Sequence, residues 1–330
     1  MRAIVQQEFG PASVLVTAEA PLPMPAEGQV RVRVEAAGVH AVDTGIRRGD
    51  GPPSMPRPEL PMIPGREIAG VVDAVGPSVD ERLIGERVVA HVGFLSGGYA
   101  EYALAPASAL HLLPQTVPFS AAVAAIGTGR TAQLVLEKAR LTADDVVLVP
   151  GASGGLGNHL TQLALALGCT VVALYGGAAK QAAVADIPNP DGRLLTIDVT
   201  ESDWVQRMRG ALQARDAPAT VLIDGVGGEI GRSALETLAP GGRAVIIGSA
   251  SGTPLAVTTD DLVNGSLTVG SVLGQPVGEL RALERRALTA VADGQVRPLI
   301  DEYPLAAAAA AHEAIEQRRS RGKVVLLPLR

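Results

Sequence analysis

The run Val146-Val147-Leu148-Val149-Pro150-Gly151-Ala152-Ser153-Gly154-Gly155-Leu156-Gly157 has the residue types and spacing to hold phosphate. Val146 to Val149 is a short β-branched apolar run, suited to a strand buried on both faces of a parallel sheet. Gly151, Ala152 and Ser153 read as the turn that follows. Gly154, Gly155 and Gly157 lack the Cβ atoms that would keep a pyrophosphate from the backbone. A helix expected from Asn158 to Leu167, entered through Leu156 and Gly157, would then offer unpaired N–H groups and a positive dipole end. A second apolar strand, Thr170 to Leu174, follows at the distance of a βαβ unit, so the run reads as a dinucleotide cradle. Ala152 departs from the usual glycine pattern and widens the turn. An NAD site places a carboxylate about 20 residues past the glycines to meet the ribose 2′-hydroxyl. This chain instead continues Leu174-Tyr175-Gly176-Gly177-Ala178-Ala179-Lys180, with no acid before Asp186. Lys180 could pair with a 2′-phosphate as a point charge, which reads as NADPH; its alternative is a solvated helix lysine.

The elements that position this cradle follow from the rest of the chain. With 330 residues, 47% hydrophobic and 19% charged, the chain suits two domains with ample core. Up to about Pro114 it shows short alternating runs broken by glycine and proline, a mostly β half. The proline-rich stretch Pro52 to Pro64 reads as a loop. Helical spacing begins near Ser120, and the strands Leu194 to Ile197, Val221 to Asp224, Ala244 to Ile247 and Leu267 to Leu273 then alternate with helices. Together with the two strands of the cradle they make an expected six-stranded, doubly wound parallel sheet. A strand, an alanine-rich helix and a final strand, Lys323 to Leu327, return to the first half. The division expected is therefore 1–120 and 298–330 for one domain and 121–297 for the other. A net charge of −6 argues against nucleic acid or an anionic membrane as partner. No apolar run spans a membrane and no secretory leader is visible, so a cytoplasmic location is expected. Cys169, the single cysteine, excludes an intrachain disulfide and a zinc site built from several thiolates.

Several further stretches carry a resemblance: Ala37-Gly38-Val39-His40-Ala41-Val42-Asp43-Thr44-Gly45-Ile46-Arg47-Arg48-Gly49, Pro64-Gly65-Arg66-Glu67-Ile68-Ala69-Gly70, Gly85-Glu86-Arg87-Val88, Gly98 to Tyr102, and Gly322-Lys323-Val324-Val325-Leu326. With the glycine run, and in this order, they resemble the zinc-free quinone oxidoreductase branch of the medium-chain dehydrogenase/reductase superfamily. The resemblance implies a GroES-like domain interrupted by a Rossmann domain, an active site between the two, and a homodimer joined through sheet edges near Val269 to Leu273. It places Thr131 near the nicotinamide, Val226, Gly248, Ser249 and Leu273 along the sheet edge, and Lys180 at the 2′-phosphate.

The zinc-dependent branch has cysteine at the position of His40 and histidine at that of Arg66, so no metal is expected here. The implied chemistry is hydride delivery to a quinone or an α,β-unsaturated carbonyl, with charge developing on an oxygen that hydrogen-bond donors can hold. The branch usually has asparagine at His40 and often tyrosine at Gly45, so the pocket departs from its pattern. His40 could donate to the substrate carbonyl and deliver a proton, since imidazoles titrate near neutrality; alternatively it only contacts the cofactor's ribose or amide. Arg66 could pin a substrate carboxylate or phosphate, or pair with Glu67 or Asp43 to hold its loop. His91, at the end of a strand, is the other histidine to watch, whereas His111, His159 and His312 read as structural or surface residues. An enoyl reductase dedicated to one biosynthetic intermediate and a non-catalytic NADPH-binding protein are the alternatives to a quinone or enone reductase.

Overall fold

A computed structural model of the chain describes residues 1–51, 55–93, 97–272 and 278–328. Among these, the strands are β1 (Arg2–Gln6), β2 (Leu15–Glu19), β3 (Gln29–Gly38), β4 (Glu67–Val75), β5 (Arg87–His91), β6 (Tyr102–Pro106), β7 (His111–Leu112), β8 (Val146–Pro150), β9 (Thr170–Tyr175), β10 (Leu194–Asp198), β11 (Ala219–Asp224), β12 (Leu238–Ile246), β13 (Thr268–Ser271), β14 (Ile300–Pro304) and β15 (Lys323–Leu327). The helices are α1 (Ala41–Arg48), α2 (Phe119–Ala124), α3 (Arg130–Ala139), α4 (Gly155–Ala166), α5 (Gln181–Ala185), α6 (Trp204–Gln213), α7 (Gly228–Leu235), α8 (Thr259–Val263), α9 (Leu280–Ala292) and α10 (Ala308–Glu316). No described helix is long and apolar enough to cross a membrane. The chain forms two compact units, Met1–Gly129 with Glu284–Arg330, and Arg130–Leu283.

The first unit is built on a seven-stranded sheet in the order β14-β15-β3-β4-β5-β7, with β6 also on β3. Along β3 the valines at 30, 32 and 34 are buried while the alternate positions are partly exposed, as the two-residue period of a strand requires. The final strand forms as expected, over Lys323 to Leu327, and is buried throughout. It lies antiparallel to β3, with Val325 opposite Gly38. Gly98 to Tyr102 is tied to β1 and β3 by backbone hydrogen bonds of Tyr99 and Glu101 and by a bridge between Ala100 and Ala3, and the strand proper starts at Tyr102. The helix expected near Ser120 opens as α2, whose Ala121, Ala122, Val123 and Ala124 are buried against β3 and β4 in this unit. It passes through a wider π-helical turn, Ala125–Gly129, into α3.

The second unit holds the six-stranded sheet, in the order β10-β9-β8-β11-β12-β13 with every pairing parallel. All five residues of β8 are buried, which accounts for its unbroken apolar run. The strand order reverses at β8, between β9 and β11, and the carboxyl ends of these strands form the crevice where doubly wound sheets take ligands. The sheet edge read as Leu267 to Leu273 forms as Thr268–Ser271, and Leu273 lies outside the described residues.

Candidate functional site

In the second unit the glycine turn forms as expected, but α4 starts at Gly155, three residues before the start expected at Asn158. The reason is that only Gly151 needs a positive φ, at +75°, whereas Gly154 sits at −86° and Gly155 and Gly157 are helical. Gly157 is required by packing: a Cβ there would lie 2.3 Å from the Gly151 carbonyl oxygen. Gly154 caps α4 without any side-chain hydrogen bond, and the first intrahelical bond is Asn158 N–H to the Gly154 carbonyl at 2.9 Å. The N–H groups of Gly155, Leu156 and Gly157 precede that ladder, the arrangement that receives an anion. Ala152 and Ser153 are buried in the turn, and Val226 abuts it, its Cγ2 3.1 Å from where a Gly151 Cβ would stand.

Past β9, Gly176 is exposed, with nothing within 4 Å of where a Cβ would stand, so the chain is open there. Lys180 closes a short 3₁₀ turn, Ala178–Lys180. The turn is held by a residue that sequence reasoning missed: Asp198, ending β10, accepts from the Gly177 N–H at 2.8 Å and from Thr200. Burial would raise the Asp198 carboxyl, but these hydrogen bonds hold it below the usual range. On the other side of the switch point, buried Asp224 accepts from the N–H groups of Val226 and Gly227 at 2.8 and 3.0 Å, and burial raises its carboxyl above the usual range. Gly248 and Ser249 follow β12, with Ser249 exposed, and Thr131 is the second residue of α3, half buried.

In the first unit His40 ends the connection out of β3 and is the N-cap residue of α1. Its N–H donates to Asp43 Oδ2 at 2.8 Å, and Arg66 grips Asp43 Oδ1 through Nη2 at 3.1 Å and Nε at 3.2 Å. Arg66 thus pairs with Asp43 rather than Glu67. A small cavity beside this pair is lined by Gln6, Asp43, Arg47, Met55, Met62 and Arg66. His91 ends β5 in register with Glu67. The remaining histidines are built into the scaffold: His111 meets Glu284 at 3.0 Å, His159 Nδ1 lies 3.1 Å from the Gly155 carbonyl, and buried His312 meets the Tyr99 hydroxyl at 3.2 Å. Burial pushes His312 down to about 4.

What His40 touches was barely visible in the order of residues. Its Nε2 lies 2.6 Å from Glu67 Oε2 and 2.8 Å from Lys323 Nζ, and Nζ lies 3.2 Å from the same Oε2. Glu67 opens β4 and Lys323 opens β15, so the antiparallel register of the sheet brings the two charges together beside β3. Burial alone would raise the Glu67 carboxyl, but His40, Lys323 and His91 hold it well below the usual carboxylate range. Burial lowers Lys323, against the pull of Glu67 and Asp43. The one signal in the sequence was a charged residue at the head of each of two strands, Glu67 before Ile68-Ala69-Gly70-Val71-Val72 and Lys323 before Val324 to Leu327.

Comparison with known proteins agrees with this architecture. Residues 26–115 match the alcohol dehydrogenase GroES-like domain, and residues 192–326 match the zinc-binding dehydrogenase family. The quinone oxidoreductase of Sus scrofa is 34% identical over 334 residues, covering 99% of this chain and 98% of that protein. An Escherichia coli quinone oxidoreductase solved in complex with NADPH superposes with a TM-score of 0.82 at 28% identity, covering 99% of this chain and 100% of that one. An NAD-dependent alcohol dehydrogenase superposes with a TM-score of 0.86 at 29% identity, covering 99% of each chain. The chain belongs to the quinone oxidoreductase family of the medium-chain dehydrogenase/reductase superfamily and is an oxidoreductase.

The second family's description raises the question of zinc, and the residues present do not fit one. Arg66 brings a cation, His40 Nε2 is taken by Glu67 and Lys323, and the described residues hold no cluster of three or more His, Cys, Asp or Glu placed to bind a metal. A dinucleotide does fit, at the uncapped start of α4.

Proposed function

We infer that the protein is an NADPH-dependent reductase that adds a hydride to a quinone or an α,β-unsaturated carbonyl. The observation that carries this reading is the group around His40, whose part-exposed imidazole is hydrogen-bonded by Glu67 and Lys323 and would face a developing oxyanion. When bound, the reduced nicotinamide supplies the hydride. Gly151 to Gly157 would hold the pyrophosphate, Gly176 and Lys180 the adenosine 2′-phosphate end, and Thr131, Val226, Gly248 and Ser249 the nicotinamide half. His40 would orient and protonate the substrate. Arg66, tied to Asp43, would shape the adjoining cavity, whose Met55 and Met62 suit the flat apolar body of a quinone or enone. The NADPH-bound state of the Escherichia coli relative supports the phosphorylated cofactor. A homodimer through β13 fits the sheet order, which leaves that strand at the edge with β12 as its one neighbour among the described strands.

Fluorescence titration of the protein with NADPH and NADH, followed by a panel of quinones, alkenals and enoyl thioesters, tests the reading. Tighter binding of NADPH and its oxidation by a member of the panel are expected. Tight binding without oxidation by any of them would remove it. Two substitutions divide the labour. Lys180→Ala is expected to raise the NADPH dissociation constant about tenfold and to leave that for NADH unchanged, as loss of one phosphate contact should. An unchanged NADPH constant would put the 2′-phosphate elsewhere. His40→Ala is expected to lower turnover on the order of a hundredfold while NADPH binding stays within about twofold; equal loss of both would make His40 a cofactor contact only.

A further inference from the structure

The triangle formed by His40 Nε2, Glu67 Oε2 and Lys323 Nζ constrains where its protons lie. At 2.6 Å, Nε2 and a carboxylate oxygen need a hydrogen between them, and with Glu67 ionised that hydrogen belongs to Nε2. At 2.8 Å from that same N–H, Lys323 cannot also point a hydrogen at Nε2 and must present its lone pair. A neutral amine and an ionised carboxylate leave the buried group short of one positive charge, which an imidazolium protonated on both nitrogens supplies. The exits are unequal as well. The side chains of Glu67 and Lys323 are 1% and 4% exposed, whereas that of His40 is 21% exposed, so the imidazole is the outlet of the group. The other charged or titratable neighbours are Asp43, tied to Arg66 and bonded to the His40 backbone, and His91, in register with Glu67.

We propose that His40, Glu67 and Lys323 form a single proton store, in which the buried carboxylate of Glu67 accepts Nε2–H and balances the charge of a His40 imidazolium, which keeps Nδ1–H for the substrate. This rests on the reductase reading above and adds to it two positioning residues, Glu67 and Lys323. After hydride addition the substrate carries an extra electron pair on carbon or oxygen. The Nδ1–H bond breaks, a C–H or O–H bond forms, and the imidazole keeps the nitrogen pair as a neutral ring with its Nε2–H still on Glu67. Water reaching His40 in the open site restores the proton. Glu67 holds the imidazolium before delivery, and the proton that returns from solvent to Nδ1 restores the charge that balances the buried carboxylate.

The first test needs no cofactor. Nitrogen-15 NMR of the ring of His40 in the ligand-free protein reads which nitrogen carries hydrogen. In the wild type both ring nitrogens are expected to carry hydrogen, and in Glu67→Gln the ring is expected to become neutral with one nitrogen bare. A bare Nδ1 or a bare Nε2 in the wild type, or an unchanged doubly protonated ring in a folded Glu67→Gln protein, would overturn the proposal. The second test is kinetic. Glu67→Gln and Lys323→Met are each expected to lower kcat about tenfold or more with NADPH binding within about twofold, and the double variant is expected to be no slower than the worse single one, because the residues act as a unit. Unchanged kcat in folded single variants, or fully additive losses, would reduce the pair to scaffold. Should the buried variants not fold, His40→Ala is the remaining probe, since its site is partly exposed: recovery of turnover on adding free imidazole supports the store, and no recovery in a protein that still binds NADPH opposes it. If the wild-type protein reduces no quinone or enone, the reductase reading fails while the tautomer measurement still decides the geometry of the triangle.

Discussion

Replacing Gly127 by alanine is expected to lower the stability of the protein by about 3–5 kcal/mol, the cost of breaking a buried charge pair. A Cβ at Gly127 would stand 1.5 Å from Glu67 Oε1 and 2.5 Å from its Cδ. Ordinarily the end of a glutamate could swing aside. This one is held by His40 and Lys323, and Gly38 closes the other side, where a Cβ would lie 2.6 Å from Oε2. The carboxylate must therefore leave its partners or the π-helical turn Ala125–Gly129 must move, and that turn is buried at every residue. Thermal or denaturant unfolding reads the loss. A double-mutant cycle identifies its cause, because Glu67→Ala removes the atoms in the way: Gly127→Ala should cost much less in the Glu67→Ala background than alone. Equal cost in both backgrounds would place the strain in the turn itself.

The second large effect is expected at Gly157. Its Cβ would meet only backbone, the Gly151 carbonyl oxygen at 2.3 Å, its carbon at 2.8 Å and the Ala152 Cα at 2.9 Å, and none of these can rotate away. Gly157→Ala should cost about 2–3 kcal/mol through overpacking and open the turn that presents the first N–H groups of α4. NADPH affinity should fall on the order of a hundredfold. Gly154→Ala supplies the contrast within the same turn. Gly154 has a φ of −86° and its Cβ would lie 3.4 Å from the Gly151 oxygen, so alanine fits the protein there. It intrudes only on the ligand's side, and is expected to weaken NADPH binding with a melting temperature unchanged within about 2 °C. If both variants behave alike in stability and binding, the glycines do not divide into a packing position and a phosphate position.

That division shows where sequence reading reaches its limit. The parallel sheet was legible because strands buried on both faces, such as Val146 to Pro150, carry no polar alternation to obscure them. The start of α4 was not, because glycine reads as turn whatever its reason for being there, and Gly155 and Gly157 lie inside the helix. His40 and Arg66 stood out by residue type in short motifs. The lysine beside His40 did not: Lys323 lies 283 residues from His40 and 256 from Glu67, distances that only the pairing of β15 with β3 and of β3 with β4 can close. Asp198 was hidden in the same way, since it acts on the loop after β9 from the end of the neighbouring strand.

The insertion of β15 beside β3 also sets an order of assembly. The outer edge of β3 is shared, its Gln29 to Arg33 portion pairing with β6 and its Ala37–Gly38 end with β15. During synthesis the first portion can be covered early, but the end that leads into His40 waits until Lys323 to Leu327 emerge, after every residue of the Arg130–Leu283 unit has been made. Until then Glu67 lacks its lysine. A nascent chain at that stage has the whole glycine turn but lacks Lys323 beside Glu67 and His40, so the triangle proposed to hold the proton closes last.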